Sequence, residues 1–530
     1  MPKERFELYN CAVKTLLTSW DANKEISSQR LFKYLDLYDL RRLMELLAYW
    51  IHTQGNVENN DSGTFIDRDD LIDQLSQQIK TLKQVQLYQA EEEAEAFLTL
   101  IRDRTGLLNE QGQNCYGFVH KTFQEYLCAE EIDYQADNEG DFEIVLSQIR
   151  EHLHDSHWRE VLLLLIAQQK PKKAARAIRA VLTNNSNYEQ WLHRDLLFAG
   201  NCLTEDPKNL RGADGGLVQE ILERLVELEV SSKERVGEKI RKQIFQIICS
   251  LYETDFESQV LEFLKEQWNR IDECRLLNYR AELGEKDQVI TILLAQLKDD
   301  NYDVRREAAL ALGQLGNSSE SVINALIARL KDDQSFVRGE AAFALSRLDN
   351  SSETVVSALI ARFQDPDAGV RDRAAIALGN LGHSSETVAS ALIARLMDDQ
   401  SCMCRGAALA LGQLGNSSES VVSTLLIRLQ DDDYVVRGEA AYALGQLGNS
   451  SESVINALLK RLMDDQSFVR GWAAFALGQL GNSSETVVNA LLALIEDHDS
   501  HVRGEATSAF GYLSNSRSEE HTSELQSPDH

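Results

Sequence analysis

Apolar and polar positions in the C-terminal half of the chain recur at a fixed interval of 33 residues, and two helical patterns alternate within each interval. In the second unit Val322, Ile323, Leu326, Ile327 and Leu330 fall on one helical stripe, which predicts a helix A over 319–330. Val337, Ala341, Ala344, Leu345 and Leu348 mark the buried stripe of a helix B over 335–348. The alanines in that stripe predict a close approach between helices. Gly313, Gly379, Gly412, Gly445 and Gly478 read as C-terminal stops of helix B, and the Asn-Ser-Ser-Glu loops read as N-caps of the next helix A. The unit occurs seven times, with Arg305, Arg338, Arg371, Cys404, Arg437, Arg470 and Arg503 at one position. Asp299, Asp332, Asp365, Asp398, Asp431, Asp464 and Asp497 lie six residues earlier. A repeat this short covers its apolar face only by stacking on its neighbours, so the pattern predicts an α-solenoid, an architecture suited to extended binding surfaces. The Asp and Arg columns are expected to form a hydrogen-bonded ladder between adjacent units rather than an active site, with an irregularity at Cys404.

Ankyrin units need Thr-Pro-Leu-His and tetratricopeptide units need Trp, Tyr and Pro at set offsets, and neither set is present. The motif Asp-x5-Arg-x2-Ala-Ala-x-Ala-Leu-Gly-x-Leu-Gly instead resembles the short HEAT-like repeats of phycobilisome lyases, over about 225 residues. That resemblance implies a HEAT solenoid whose B helices line a concave surface. On helix B the Glu position of Arg-Gly-Glu and the positions three and seven residues later share a face outside the buried stripe. The units differ most on this face. Phe343, Arg373, Tyr442, Trp472, Phe475 and Tyr512 are therefore the candidate partner-binding residues, since aromatic and Arg side chains make strong anchors. The alternative is that some of these rings pack into neighbouring units as core. Less regular helices over 217–228, 236–252, 259–269 and 287–297 read as degenerate repeats.

The first 135 residues carry a different pattern. Leu107–Glu110 and Tyr116–His120 are short apolar-bearing runs around Gln111-Gly112-Gln113-Asn114, which predicts a β-hairpin wing. Thr122 and Glu125 then suggest a capping box for an amphipathic helix bearing Phe123, Tyr126, Leu127 and Ile132. Three segments resemble the part of NACHT-family signalling ATPases that follows the nucleotide-binding core: Pro2–Tyr9, Leu16–Asp21 and Leu43–Trp50. Phe97–Leu108 with Tyr116–Ala129 is similar to the end of the winged-helix domain in that family. The resemblance implies that His120, just before a helix N-terminus where phosphate is favoured, contacts the phosphate of bound ADP. No Gly-x4-Gly-Lys-Ser/Thr occurs in the chain, so it lacks the loop that would wrap nucleotide phosphates. The expectation is that ADP or ATP belongs to a NACHT core supplied in cis, upstream of residue 1, or in trans, and that this chain alone holds no cofactor.

The formal net charge of −30 argues against nucleic acid and anionic membranes as partners. Eight scattered cysteines suit a reducing compartment, Cys402-x-Cys404 lacks a second ligand pair for zinc, and no secretory or membrane-spanning segment is evident. These features predict a cytoplasmic protein. The final Arg517–Ser527 stretch resembles a translated sequencing adapter, which would mean that the true C-terminus lies elsewhere. The expected fold is all-α: a helical segment (1–58), a winged-helix-like domain with a small β-hairpin (59–135), a helical linker (136–210), degenerate repeats (211–290), seven HEAT-like repeats (291–516) and the tail (517–530). The leading functional expectation is a non-catalytic sensor and regulatory part of a NACHT-type switch that binds a protein ligand on its solenoid. The alternative is a phycobilisome-related lyase or a HEAT-repeat scaffold or chaperone. A HEAT-repeat di-iron hydroxylase is excluded, because no His-Glu dipeptide exists to ligate iron.

Overall fold

The computed structural model describes residues 5–18, 32–54, 66–110, 114–231, 236–382, 385–396, 405–415 and 417–525, with the backbone alone at 103–104, 396, 405 and 514–525. Cys402, Cys404, Asp398, the wing turn at 111–113 and the last five residues of the tail lie outside the described residues. The chain forms two compact units, Met1–Gly284 and Glu285–His530.

The first unit opens with α1 (Arg5–Thr18), α2 (Leu37–Gln54), β1 (Ile66–Asp67), α3 (Arg68–Lys83) and α4 (Leu87–Leu100). It continues through β2 (Leu108–Glu110), β3 (Cys115–Phe118) and α5 (Lys121–Glu139). α3 ends at Gln84, whose left-handed φ of 52° turns the chain sharply into α4. The expected hairpin of β2 and β3 is present, with Leu108 opposite Phe118, but β1 adds a third antiparallel strand that pairs Ile66 with Tyr116. β1 has only two residues, too few for an alternating pattern to reveal it. The predicted Thr122–Glu125 capping box is not formed. α5 starts at Lys121, with Val119 and His120 between it and β3 and His120 at the N-cap, and Glu125 is buried beside Lys121 at 3.6 Å. Burial raises the Glu125 pKa.

α2 packs along α5, and charges are enclosed between them. Arg41 pairs with Glu45 at 2.9 Å and Glu130 at 2.5 Å, and Arg42 pairs with Glu45 at 2.6 Å and with Glu131. Among the described residues ten further helices follow, from Glu143–His152 to Glu273–Arg280. The expected helices over 217–228, 236–252 and 259–269 appear as Gly215–Val230, Glu238–Cys249 and Glu257–Glu266. The core holds a stack of rings. His52 is fully buried, lies parallel to His157 at 3.9 Å and meets the edge of Trp158 at 4.6 Å. Neither ring nitrogen of His52 has a hydrogen-bond partner.

The second unit alternates A helices (Lys286–Gln296, Glu320–Arg329, Glu353–Ile360, Glu386–Leu396, Glu419–Arg428, Glu452–Arg461, Glu485–Leu494) with B helices. The B helices are Tyr302–Leu315, Ser335–Ser346, Ala368–Asn380, Arg405–Gln413, Tyr434–Gln446, Ser467–Gln479 and Ser500–Leu525. Each A helix packs on the B helix that follows it, and successive B helices pack side by side along their lengths. Val322, Leu326, Val337, Ala341, Ala344 and Leu345 are buried as their spacing predicts.

Two glycine columns separate by role. Gly313, Gly379, Gly412, Gly445 and Gly478 are not helix stops; they lie within the B helices, against an alanine of the next B helix. A methyl group at Gly445 would sit 2.7 Å from the Ala476 Cα, and one at Gly478 would sit 2.6 Å from the Ala509 Cα. The stop belongs to the glycine three residues later: Gly316, Gly382, Gly415, Gly448 and Gly481 all have φ between 62° and 67°. Asp349 takes this place in the second unit with φ 48°, and Ser514 takes it in the seventh, where the B helix continues through the expected loop to Leu525. The caps are also displaced from expectation. Ser319, Ser352, Ser451 and Ser484 occupy the N-cap positions without side-chain cap bonds, while Asn317, Asn350, Asn449 and Asn482 accept the backbone N–H of those serines at 2.9–3.1 Å. The Asn side chain therefore shapes the turn by the two-residue Asx geometry.

The Arg ladder is present. The Arg305 Nε and Nη2 donate to the Asp332 carboxylate at 2.9 and 2.7 Å, and its Nη1 donates to the Asp299 carbonyl at 2.9 Å. Arg338 repeats this with Asp365 and the Asp332 carbonyl, Arg437 with Asp464 and the Asp431 carbonyl, and Arg470 with Asp497 and the Asp464 carbonyl. Each guanidinium thus holds the loop of its own unit and the carboxylate of the next.

Gly445→Ala is expected to lower the unfolding midpoint, although Ala is the better helix former by about 1 kcal/mol, because the added methyl group must push two B helices apart. Asp349→Gly is expected to stabilise by up to about 1 kcal/mol by relieving the left-handed backbone. Chemical denaturation of both variants checks the pair; stabilisation by Gly445→Ala would contradict the close packing.

Burial, followed by the charges of His157, Lys121 and His152, holds the His52 pKa down to about 3, against 6.5 for the free side chain. The unfolded chain therefore binds a proton that the folded chain rejects. This contribution to stability is complete above pH 6.5 and falls as the pH drops from there toward 3. The slope is up to about 1.4 kcal/mol per pH unit for one proton. His52→Leu should flatten the fall in unfolding midpoint between these pH values, and an unchanged slope would contradict this assignment.

Candidate partner-binding face

The B helices present the face on which the repeats differ. Three consecutive units bring their aromatic residues together there. Tyr442 of the fifth unit meets Trp472 of the sixth at 4.8 Å edge-on and stacks on Phe475 at 5.5 Å. Trp472 meets Phe475 at 5.6 Å, and Phe475 meets Tyr512 of the seventh unit at 6.0 Å. Such edge-to-face geometry is favourable for ring quadrupoles. Tyr442, Trp472 and Phe475 are half-buried against one another, and Tyr512 is 41 % exposed. The rings therefore bridge adjacent units and also present a surface. The Trp472 indole N–H is shielded from solvent and has no acceptor.

Phe468 and His501 extend this surface, lying 6.1 and 6.2 Å from Trp472. They were not among the sequence candidates, yet Phe468 lies four residues before Trp472, one helical turn away on the same face, which is the signal that could have found it. The glycine of Arg-Gly-Glu makes room for these rings: a methyl group at Gly438 would fall 2.5 Å from the Phe468 ring.

Phe343 and Arg373, in the second and third units, stand apart from this cluster. The Arg347 guanidinium lies over the Phe343 ring at 4.7 Å. Arg373 is exposed and pairs with Glu340 at 3.0 Å, the residue one repeat earlier.

His120 is exposed at the N-cap of α5, a 19-residue helix, with its ring 6.1 Å from Phe123 and Lys121 next in the chain. An imidazole and an ammonium at a helix N-terminus form a donor set that suits an anion. Among the described residues no group of three or more His, Cys, Asp or Glu side chains is placed to hold a metal ion, and no helix is long and apolar enough to cross a membrane.

Residues 5–132 match the model of a winged helix-turn-helix domain C-terminal to NACHT. HEAT repeats match residues 258–346, 325–412, 389–478 and 455–526. Both modules are of non-catalytic types. Among solved structures, the CpcE–CpcF complex of phycocyanin lyase from Nostoc sp. PCC7120 is similar at 24% identity over 43% of this chain and 94% of that one, with a TM-score of 0.30. Kap121p is similar at 14% identity over 96% of this chain and 57% of that one, with a TM-score of 0.40. Human deoxyhypusine hydroxylase is similar at 18% identity over 57% of this chain and 99% of that one, with a TM-score of 0.23. No curated protein matches the chain. The chain belongs to the HEAT-repeat family and carries, in its N-terminal part, a winged helix-turn-helix domain of the type found C-terminal to NACHT.

Proposed function

We propose that this chain is the sensor and regulatory part of a NACHT-type signal-transduction switch, and that it binds a protein ligand through the B-helix row of its HEAT array. It acts in the cytoplasm and is not itself a catalyst. The observation that carries this reading is the continuous aromatic surface of Tyr442, Trp472, Phe475 and Tyr512, because large half-buried rings are the residue type that anchors protein interfaces. The spacing of the helices supports it. Glycine and alanine let successive B helices pack closely side by side, which places the outward rings of neighbouring units within reach of one another. The match to a NACHT-associated winged helix supports coupling to an ATPase core, in cis or in trans. In that arrangement the core holds the ADP or ATP, while His120, beside Lys121 at the start of α5, meets a terminal phosphate and favours the closed state. A ligand shifts such a switch only by binding its two states unequally.

The ligand captured by the immobilised wild-type chain should be retained at least about tenfold less by the Tyr442→Ala/Trp472→Ala double variant, since hot-spot truncations cost about 2 kcal/mol each. Equal retention by a folded double variant would reject the face. His120→Ala should speed ADP release from the assembly with its core, and unchanged release would reject the coupling role.

A further inference from the structure

The chain is strongly acidic, and one cavity in its first unit departs from that balance. The cavity has a volume of about 520 Å³ and is bounded by the helices Arg159–Ala167, Arg194–Thr204 and Glu238–Cys249, with the loop that precedes the first of them. The middle helix packs on both of the others. Each helix brings a cation from its first turn to the lining: Arg159, Arg194 and Lys239. Asp155 is the carboxylate among the lining residues, so three cations face one anion in a chain whose formal charge is −30. The floor is apolar, since Leu153, Leu197, Phe198 and Ile247 line the cavity and are all buried. Asn201, Gln243 and Gln246 add amide groups to the wall.

The carboxylates of this region are committed to the chain's own donors. Asp155 accepts the backbone N–H of His157 at 2.8 Å. Asp195 is buried, does not line the cavity, and accepts from Ser186 Oγ at 2.6 Å beside His154 at 2.8 Å. Glu189 accepts the backbone N–H groups of Asp195 and Leu196 at 2.9 and 3.2 Å. Glu160 lies 3.4 Å from Arg159 and is also held by Arg5 at 2.6 Å. Two of the cations are not so committed. Arg194 gives its Nη2 to the Asn187 carbonyl at 3.1 Å, and its shielded Nε has no acceptor. Among the described residues neither Arg194 nor the exposed Lys239 pairs with a carboxylate.

We infer that this cavity binds a small organic phosphate, with the apolar body on the floor and the phosphate between Arg194 and Lys239. The site is independent of the docking face proposed above. Small-molecule sites of this size combine apolar walls with a few placed polar groups. A phosphate dianion takes charge-assisted hydrogen bonds from Arg and Lys, which an apolar alcohol of the same shape cannot replace.

The test is isothermal titration calorimetry of the full chain with naphthyl phosphate, at about 0.15 M salt and about pH 7.5, where the ester is largely a dianion. Naphthol and inorganic phosphate are the references. Naphthyl phosphate should bind at least about tenfold more tightly than either. Lys239→Gln and Arg194→Gln should each weaken it severalfold. Gln243→Glu, which keeps the side-chain shape and adds an anion to the wall, should weaken it as well, with an unchanged unfolding temperature. Lys172→Gln, which removes a charge from an exposed position outside the cavity, should leave binding unchanged. The inference is overturned if naphthyl phosphate does not bind, or if either reference binds as tightly. Undiminished binding by folded Lys239→Gln and Gln243→Glu, or an equal loss with Lys172→Gln, would overturn it too.

Discussion

The Arg ladder is the interaction on which the repeat array depends. An isolated unit of two short helices cannot cover its own apolar face, so its stability comes from its neighbours. Each ladder arginine fixes that neighbourhood by spending one edge of its guanidinium on the carbonyls before its own B helix and the other on the carboxylate of the next unit. Burial alone would raise the pKa of Asp365, but the hydrogen bonds from Arg338 and from the Asp367 backbone overcome it and hold the carboxyl below its ordinary 3.8. The same direction holds at Asp332, Asp464 and Asp497. Ion pairs this well enclosed are costly to break singly, because the surviving charge is left buried without its partner.

With the loops pinned, the B helices can approach until glycine meets alanine. That approach brings the outward rings of the fifth, sixth and seventh units into mutual contact. Tyr442 would be a lone surface ring in a wider array. Here it is one edge of a surface that no single repeat contains. Variation concentrated on one face of a repeated scaffold is how an array can acquire specificity without changing its fold.

Much of this was legible in the residues. The period, the two helices per unit and the pairing of the Asp and Arg columns followed from spacing alone, since sevenfold recurrence at a 33-residue interval multiplies a weak local signal. What spacing could not separate were two glycines three residues apart. Gly445 and Gly448 look alike in sequence, but one is required by an alanine of the next unit and the other by its own left-handed backbone. The third strand escaped because Ile66–Asp67 is too short to carry a pattern, and the cap at His120 escaped because Thr122 and Glu125 supplied a plausible local alternative. On the outward face of the B helices, the spacing placed most of the aromatic residues that cluster there. It did not separate Phe343 and Arg373, which the chain satisfies internally, from Tyr442, Trp472, Phe475 and Tyr512, which meet one another. That distinction depends on contacts between repeats, which a single-unit motif does not contain.

The most direct test of the ladder is a double-mutant cycle on Arg437 and Asp464, with the unfolding free energies of Arg437→Ala, Asp464→Ala and the double variant measured at pH 7. The account predicts a coupling of about 1–3 kcal/mol between the two sites, with the double variant less damaged than the sum of the single ones. Strictly additive losses would show that the guanidinium and the carboxylate stabilise the array independently, and the ladder would not be what joins its units.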